Sequence, residues 1–182
     1  MTHDPDKHHR RSIRLKGHDY AQPGAYFVTV CTRGRACLFG HVLNGEMHPN
    51  DAGEVVREQW LRTAQMRPNV ELDAFMIMPN HLHGIVVIHE TCRGTLQRAP
   101  TQTERFGQPT SNSIPTIVRL FKSATTTRIN VARGAPGTPI WQRGYYEHVV
   151  RNDAELTAIR EYILANPAQW DEDENNPDFV AP

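Results

Sequence analysis

The stretch that decides the fold runs from Phe75 to Ile88 and reads FMIMPNHLHGIVVI. Two short apolar runs flank a break at Pro79 and Asn80, and short apolar runs bounded by turn residues are typical of buried strands. Because Pro79 lacks an N–H group and Asn80 tolerates tight turns, the two runs are predicted to form a β-hairpin.

The second run begins with two histidines separated by a leucine. Side chains alternate between the faces of a strand, so His81 and His83 should project together, about 7 Å apart, while Leu82 enters the core. Two imidazoles on one face can hold one metal ion if a third ligand comes from elsewhere. The alternative is a pair of histidines on the solvated face of a half-buried strand.

Length and composition indicate one domain with a substantial core, since the chain has 182 residues. No apolar run approaches the ~20 residues of a membrane span, and the first residues lack the apolar segment of a signal peptide. Three cysteines without Cys-x-x-Cys spacing argue against a disulfide framework and a structural zinc site. We therefore expect a cytoplasmic protein that does not bind membranes.

The formal net charge is zero, but the charges are unevenly distributed along the chain. The predicted acidic tail, residues 171–182, holds five acids and no base, so the rest carries 20 bases against 15 acids. Residues 1–19 are predicted to form a basic arm of the kind that often meets phosphate, and a solvated, disordered arm is the alternative. The candidate DNA contacts in this arm are Arg10, Arg11, Arg14 and Lys16.

Strands and loops outside the hairpin follow from composition. β-Branched and aromatic residues predict strands at 26–32 and within 140–150. The pair Asn44-Gly45 predicts a small hairpin extension. Residues 89–112 are polar and rich in glycine and proline, which predicts a long mobile loop.

Three helices are predicted from their capping residues. Asp51 followed by Glu54 fits a capping box for the first helix, and Ser113 is expected to cap the second. Asn152 should cap the third, which is expected to stop at Asn166 because the next residue is proline. The resulting order is strand, helix, strand, strand, helix, strand and a final helix.

This order predicts an α+β fold: a ferredoxin-like βαββαβ unit, with an antiparallel four-stranded sheet and two helices on one face. The final helix is additional to that unit. We expect the domain to cover residues 20–170.

The final helix carries the second half of a candidate site. Its apolar stripe consists of Leu156, Ile159 and Ile163, and Tyr162 and Asn166 fall on one edge of the stripe, four residues apart. At that edge a side chain can reach a cleft between helix and sheet, and the Asn166 amide oxygen can coordinate a cation. The alternatives are a boundary residue for Tyr162 and a C-terminal cap for Asn166.

Two segments of the chain carry a resemblance to a known family. Residues 78–84, MPNHLHG, resemble the HUH motif (histidine, hydrophobic residue, histidine) of single-tyrosine transposases of the IS200/IS605 type. Residues 141–148, WQRGYYEH, and 160–167, REYILANP, resemble the branch called REP-associated tyrosine transposases. The similarity runs from about Arg11 to Trp170, and these motifs in this order form a specific signal.

The resemblance implies a metal-dependent nuclease that nicks and rejoins single-stranded or hairpin DNA of the REP type through a 5′-phosphotyrosine. By residue, it implies that His81, His83 and Asn166 bind a divalent metal and that Tyr162 is the nucleophile. This mixed nitrogen and oxygen set suits Mn²⁺ or Mg²⁺, and zinc stays an option. Insertion-sequence members usually carry glutamine where Asn166 stands, so the asparagine favours the REP-associated branch. Monomer and homodimer both stay open.

Further residues are candidates for DNA contact beyond the arm. Tyr146 has the character of a base-stacking residue, and His148 is a candidate base for ionising Tyr162. The full set outside the arm is Arg119, Lys122, Arg143, Tyr146 and His148.

Three other functions fit parts of the sequence. The same fold without chemistry would give a hairpin-binding module or repressor. A replication-initiator HUH nickase shares the histidine pair but usually has a longer chain. A zinc hydrolase would need a third strong ligand, and the chain has no His-Glu-x-x-His motif.

Overall fold

The computed structural model describes residues 18–90 and 112–179. The elements of these two segments are β1 (Gly24–Cys31), β2 (Gly40–Leu43), β3 (Glu46–Pro49), α1 (Asp51–Gln65), β4 (Val70–Ile77), β5 (His81–Ile88), α2 (Ile114–Arg133), β6 (Tyr146–Val150) and α3 (Asp153–Ala165). Short 3₁₀ segments lie at Arg33–Arg35 and Asn166–Glu172.

The main sheet has the order β4-β5-β1-β6, and every neighbouring pair is antiparallel. This is the strand order of the ferredoxin-like βαββαβ unit, so the predicted fold class is confirmed. β2 and β3 form a separate two-stranded hairpin. Its turn residues Asn44 and Gly45 both have positive φ, as a tight primed turn requires.

The two faces of the sheet are covered unequally. On one face, α1 and α2 pack against the sheet around Trp60 and Phe121 and build the larger apolar cluster. On the other face, α3 inserts Ile163 against Phe27 and Ile85, and only partly buried residues surround this smaller cluster. Among residues 18–90 and 112–179, the helix that carries the candidate tyrosine is therefore the only α-helix on its side of the sheet.

Strand β5 alternates as expected. Leu82 and Val86 belong to the cluster under α1 and α2, whereas Ile85 packs under α3. His81 and His83 share the parity of Ile85, so both project towards the side that carries α3. The predicted hairpin of β4 and β5 is confirmed, with Met78–Asn80 as its connection.

The helix ends differ from expectation in two places. The cap of α1 is Asn50, not Asp51, because the Asn50 side chain accepts from the N–H groups of Ala52 and Gly53. Asn166 does not leave the α region before proline; it keeps helical φ and ψ, and the chain tightens into a 3₁₀ segment. Tertiary packing overrides the local preference there, since Asn166 is 2% exposed. The caps Ser113 and Asn152 are as predicted.

Several predicted segments lie partly or wholly outside the described residues. The arm, including Arg10, Arg11, Arg14 and Lys16, lies there except for its last two positions, and so does the predicted loop except for His89, Glu90 and Asn112. Most of the acidic tail is described, and it folds back onto the body of the domain. None of the helices in residues 18–90 and 112–179 is long and apolar enough to span a membrane.

The contact between β5 and α1 gives a stability prediction. A Cβ atom added at Gly84 would lie 2.5 Å from Cζ2 of Trp60, which is fully buried and cannot retreat. We expect Gly84→Ala to lower the free energy of unfolding by ~1–3 kcal/mol in urea titrations. Gly144→Ala is the matched control, because its Cβ would meet nothing within 4 Å. Equal unfolding midpoints for the two variants would contradict this packing.

Candidate functional site

His81 and His83 converge on one point. Their Nε2 atoms are 2.9 Å apart, and their exposed fractions are 0% and 2%. Both side chains lie on the α3 side of β5, one of the two inner strands of the sheet. The predicted pair therefore presents two ring nitrogens to a single position.

A second layer of contacts orients the two rings. The Asn80 amide donates to the carbonyl oxygens of Arg35 and Asn175, so its Oδ1 faces His81 Nδ1 at 2.8 Å. Because an amide oxygen only accepts, His81 carries its proton on Nδ1 and its Nε2 lone pair is free. Thr29 Oγ1 lies 2.8 Å from His83 Nδ1 and can accept in the same way. Histidine ligands of metals are commonly fixed by such partners.

Helix α3 brings Tyr162 and Asn166 to this point. The Tyr162 hydroxyl lies 3.4 Å from His83 Nε2, and its ring contacts that of His83 edge-on. The Asn166 Oδ1 atom is buried and makes no hydrogen bond among the described residues. The i, i+4 spacing along α3 thus places a phenol and an unpaired amide oxygen beside the histidines.

Asp173 is a site residue that the sequence reasoning missed. It belongs to the predicted acidic tail, yet its Oδ2 atom lies 3.8 Å from His81 Nε2 and its side chain is 9% exposed. Oδ1 accepts from the Asn175 backbone, while Oδ2 has no hydrogen-bond partner in the described segments. His81, His83 and Asp173 together have the spacing of a metal-binding group. The tail shows no periodicity, so only its acidic character was visible beforehand.

Burial dominates the electrostatics of the site. It lowers the pKa of His81 to about 4, against an opposing effect of Asp173, and it lowers the pKa of His83 well below its usual value. Both imidazoles are therefore neutral at physiological pH, which is the state that binds metals. Burial and then the Asp173 charge raise the pKa of Tyr162, with the Asn166 amide acting in the opposite direction.

The donor set fits a divalent cation. Ligand atoms of His81, His83 and Asp173 all lie within 4.8 Å of one another, and the buried oxygens Asn166 Oδ1 and Asp173 Oδ2 have no hydrogen-bond partner among the described residues. Leaving such polar atoms buried without partners costs ~1–3 kcal/mol each, and a bound cation would remove that cost. His81, His83, Asn166 and Asp173 are therefore the residues that could hold Mn²⁺ or Mg²⁺.

Polar contacts also fix α3 to the sheet, in addition to its apolar stripe. Arg160 donates to both carboxylate oxygens of Asp73 on β4. Near the start of α3, His148 Nε2 lies 2.7 Å from Glu155 Oε1. His148, proposed from the sequence as a base for Tyr162, is thus engaged by Glu155.

The other sequence candidates for DNA contact lie in two places. Arg119 is exposed on α2, in the layer across the sheet from the histidines. Lys122 donates to the carbonyl oxygens of Gln142 and Gly144, which occupies its ammonium group. Arg143 is exposed before β6, and Tyr146 is 41% exposed on β6 itself.

No protein-family model matches the chain, but comparisons with individual proteins and solved structures find relatives. An uncharacterized protein of Haemophilus influenzae is 43% identical over 171 residues, covering 92% of this chain and 93% of that protein. A second protein of that organism, named "Putative REP-associated tyrosine transposase", is 24% identical over 152 residues, with 83% and 74% covered. A solved structure of a REP-associated tyrosine transposase bound to a REP hairpin shares the fold, with a TM-score of 0.56, 21% identity, and coverage of 90% of this chain and 74% of that one.

Because Arg160 of α3 pairs with the ionisable Asp73, we expect the attachment of α3 to the sheet to depend on pH. The hydrogen bonds from Arg160 lower the pKa of the Asp73 carboxyl below its ordinary value of 3.8. The pair therefore contributes its full stability above pH 3.8, and this contribution is lost as the pH falls through the lowered pKa of Asp73. We expect Asp73→Asn to speed amide hydrogen exchange in α3 at neutral pH, with the difference from wild type shrinking in acid. Glu54→Gln, which breaks an exposed pair within α1, is the control. Unchanged exchange in α3 would show that the apolar stripe alone holds the helix.

Proposed function

We propose that this chain is a REP-associated tyrosine transposase, a metal-dependent nuclease and strand transferase that acts on hairpin DNA. The fold shared with a solved transposase of that name and a 24% identical relative support this proposal. The observation that carries the proposal is the convergence of Tyr162, His83 and His81, with 3.4 Å and 2.9 Å between successive polar atoms. A phenol beside two neutral imidazoles and unpaired oxygens is what a metal-assisted phosphoryl transfer to tyrosine requires.

The four donors would hold the cation, and the phosphodiester would be oriented against it. When bound, the cation supplies positive charge that offsets the phosphate charge and favours ionisation of a nearby phenol. Asn80 and Thr29 keep the Nε2 atoms available for this role by engaging the opposite ring nitrogens. The Trp170 ring lies 6.0 Å from that of His81 and covers that flank of the imidazole.

Tyr162 is the proposed nucleophile. Its phenolic oxygen attacks phosphorus in line and gives up its proton to solvent, while the bond between phosphorus and the 3′ oxygen breaks and the departing oxygen takes up a proton from solvent. The products are a 5′-phosphotyrosine and a free 3′-OH. Since the covalent link conserves the phosphodiester bond energy, a different 3′-OH can reverse the step and join a new strand.

The phenol is accessible to such a substrate. Tyr162 is 43% exposed although its hydroxyl faces buried histidines, so the ring forms part of an open wall. The DNA partner is inferred from the family and from the REP hairpin bound by the structural relative. A protein that only binds hairpins would not need the unpaired Asn166 and Asp173 oxygens, which supports the enzymatic function.

We expect Tyr162→Phe to abolish the covalent DNA adduct while DNA binding survives, because only the hydroxyl is removed. The test incubates protein with Mn²⁺ and hairpin oligonucleotides and identifies the adduct peptide by mass spectrometry. Tyr146→Phe, which removes the rival hydroxyl, should still form the adduct. Loss of the adduct in Tyr146→Phe together with its persistence in Tyr162→Phe would reverse the assignment, and its absence from wild type would favour a binding module.

The role of Asp173 gives a separate prediction on cation affinity. We expect Asp173→Asn to weaken Mn²⁺ binding about tenfold or more in calorimetric titrations without DNA, because a charged ligand becomes neutral. Asp171→Asn is the control, since Asp171 is exposed two residues earlier. Equal Mn²⁺ affinity in the two variants would remove Asp173 from the ligand set.

A further inference from the structure

Tyr146 lies in one row with the candidate site. It pairs with Thr29 on β1, and Thr29 pairs with His83 on β5, so all three side chains project towards the α3 side. β6 is an edge strand, and two strand spacings put Tyr146 about 10 Å from His83. Tyr146 therefore stands between the proposed reaction centre and the open edge of the sheet.

The aromatic contacts of Tyr146 connect it to that centre. Phe27 stacks on His83 and meets both Tyr146 and Tyr162 edge-on, with ring centroids 6.1 Å and 6.2 Å away. Phe27 is nearly buried, while Tyr146 and Tyr162 expose comparable fractions of their surface. The two tyrosines thus flank one buried ring on the same surface.

The environment of Tyr146 is not that of a core tyrosine. Its side chain is 41% exposed on an edge strand. A large aromatic side chain that is exposed to this extent adds little to the core, so packing alone does not explain the residue. An open aromatic face next to a reaction centre for single-stranded DNA is suited to stacking on a base.

The backbone before Tyr146 is held in place. The Lys122 ammonium group donates to the carbonyl oxygens of Gln142 and Gly144 at 2.6 Å and 2.8 Å, which ties this segment to α2. The exposed Arg143 lies within the same segment. A ring fixed in advance loses little entropy on binding, and a nearby guanidinium can meet a backbone phosphate.

We propose that Tyr146 is a stacking platform for an unpaired nucleobase that flanks the scissile phosphate, with Arg143 contacting the phosphate beyond it. This rests on the proposed function and specifies where the single strand runs: across β1 and β6 towards the sheet edge. Stacking is tolerant of sequence, so the platform serves positioning of the strand and not base recognition.

The test uses hairpin oligonucleotides with short unpaired dT extensions on both sides and one 2-aminopurine placed at each extension position in turn. Stacking quenches its fluorescence. With the adduct blocked by Tyr162→Phe, we expect one position to be quenched on binding, and Tyr146→Ala or Tyr146→Leu to remove that quench and weaken affinity about tenfold. Tyr146→Phe should restore both, because the ring and not the hydroxyl stacks.

Leu120→Ala is the matched control, since Leu120 is 43% exposed on the opposite layer. Quenching that survives in both Tyr146→Ala and Tyr146→Leu overturns the platform, as does a Tyr146→Phe protein that behaves like the alanine variant. The two proposals fail separately: an adduct in the parent protein without a Tyr146-dependent quench overturns only the platform, and the quench without an adduct overturns only the chemistry. Absence of hairpin binding overturns both.

Discussion

The candidate site depends on the packing of one helix against one face of the sheet. β5 supplies the histidines, but the phenol and the amide oxygen arrive only because Ile163 of α3 inserts between Phe27 and Ile85. Burying such a side chain contributes ~1.5–3 kcal/mol, which is modest for a contact that positions two functional groups. The double hydrogen bond from Arg160 to Asp73 reinforces it at the opposite edge of the sheet from β6.

The site concentrates polar atoms that stabilise little by themselves. Two neutral imidazoles, the unpaired Oδ1 of Asn166 and the unpaired Oδ2 of Asp173 lie in a largely buried pocket. Such groups persist only where the surrounding fold is stable enough to hold them. The apolar cluster beneath α1 and α2 supplies that stability on the other face. One face of the sheet therefore carries most of the core, and the other carries the candidate site.

The sequence predicted what depends on local periodicity. Alternation on β5 fixed the direction of both histidines, and the i, i+4 spacing fixed Tyr162 relative to Asn166. Asp173 could not be predicted, because its approach to His81 depends on contacts between distant segments: Asn80 holds the Asn175 carbonyl, and Arg35 the Glu174 carbonyl. The pairing of Asp73 with Arg160 could not be predicted either, because Asp73 lies at a register shift between Leu72 and Phe75 that the alternation of residues along β4 does not indicate.

The C-terminal segment has a further consequence for how the site is assembled. The Asp173 carboxylate and the Trp170 ring lie against His81 of β5, and the Asn175 carbonyl accepts from Asn80 in the turn before β5. Donors therefore come from three places in the chain: mid-chain β5, the end of α3 and the segment after it. Because the last two are continuous, any movement of α3 would carry Asn166 and Tyr162 together and would pull on Asp173. The positions of the proposed cation ligands and of the proposed nucleophile are thus coupled through one stretch of backbone, so disturbing the helix should affect both.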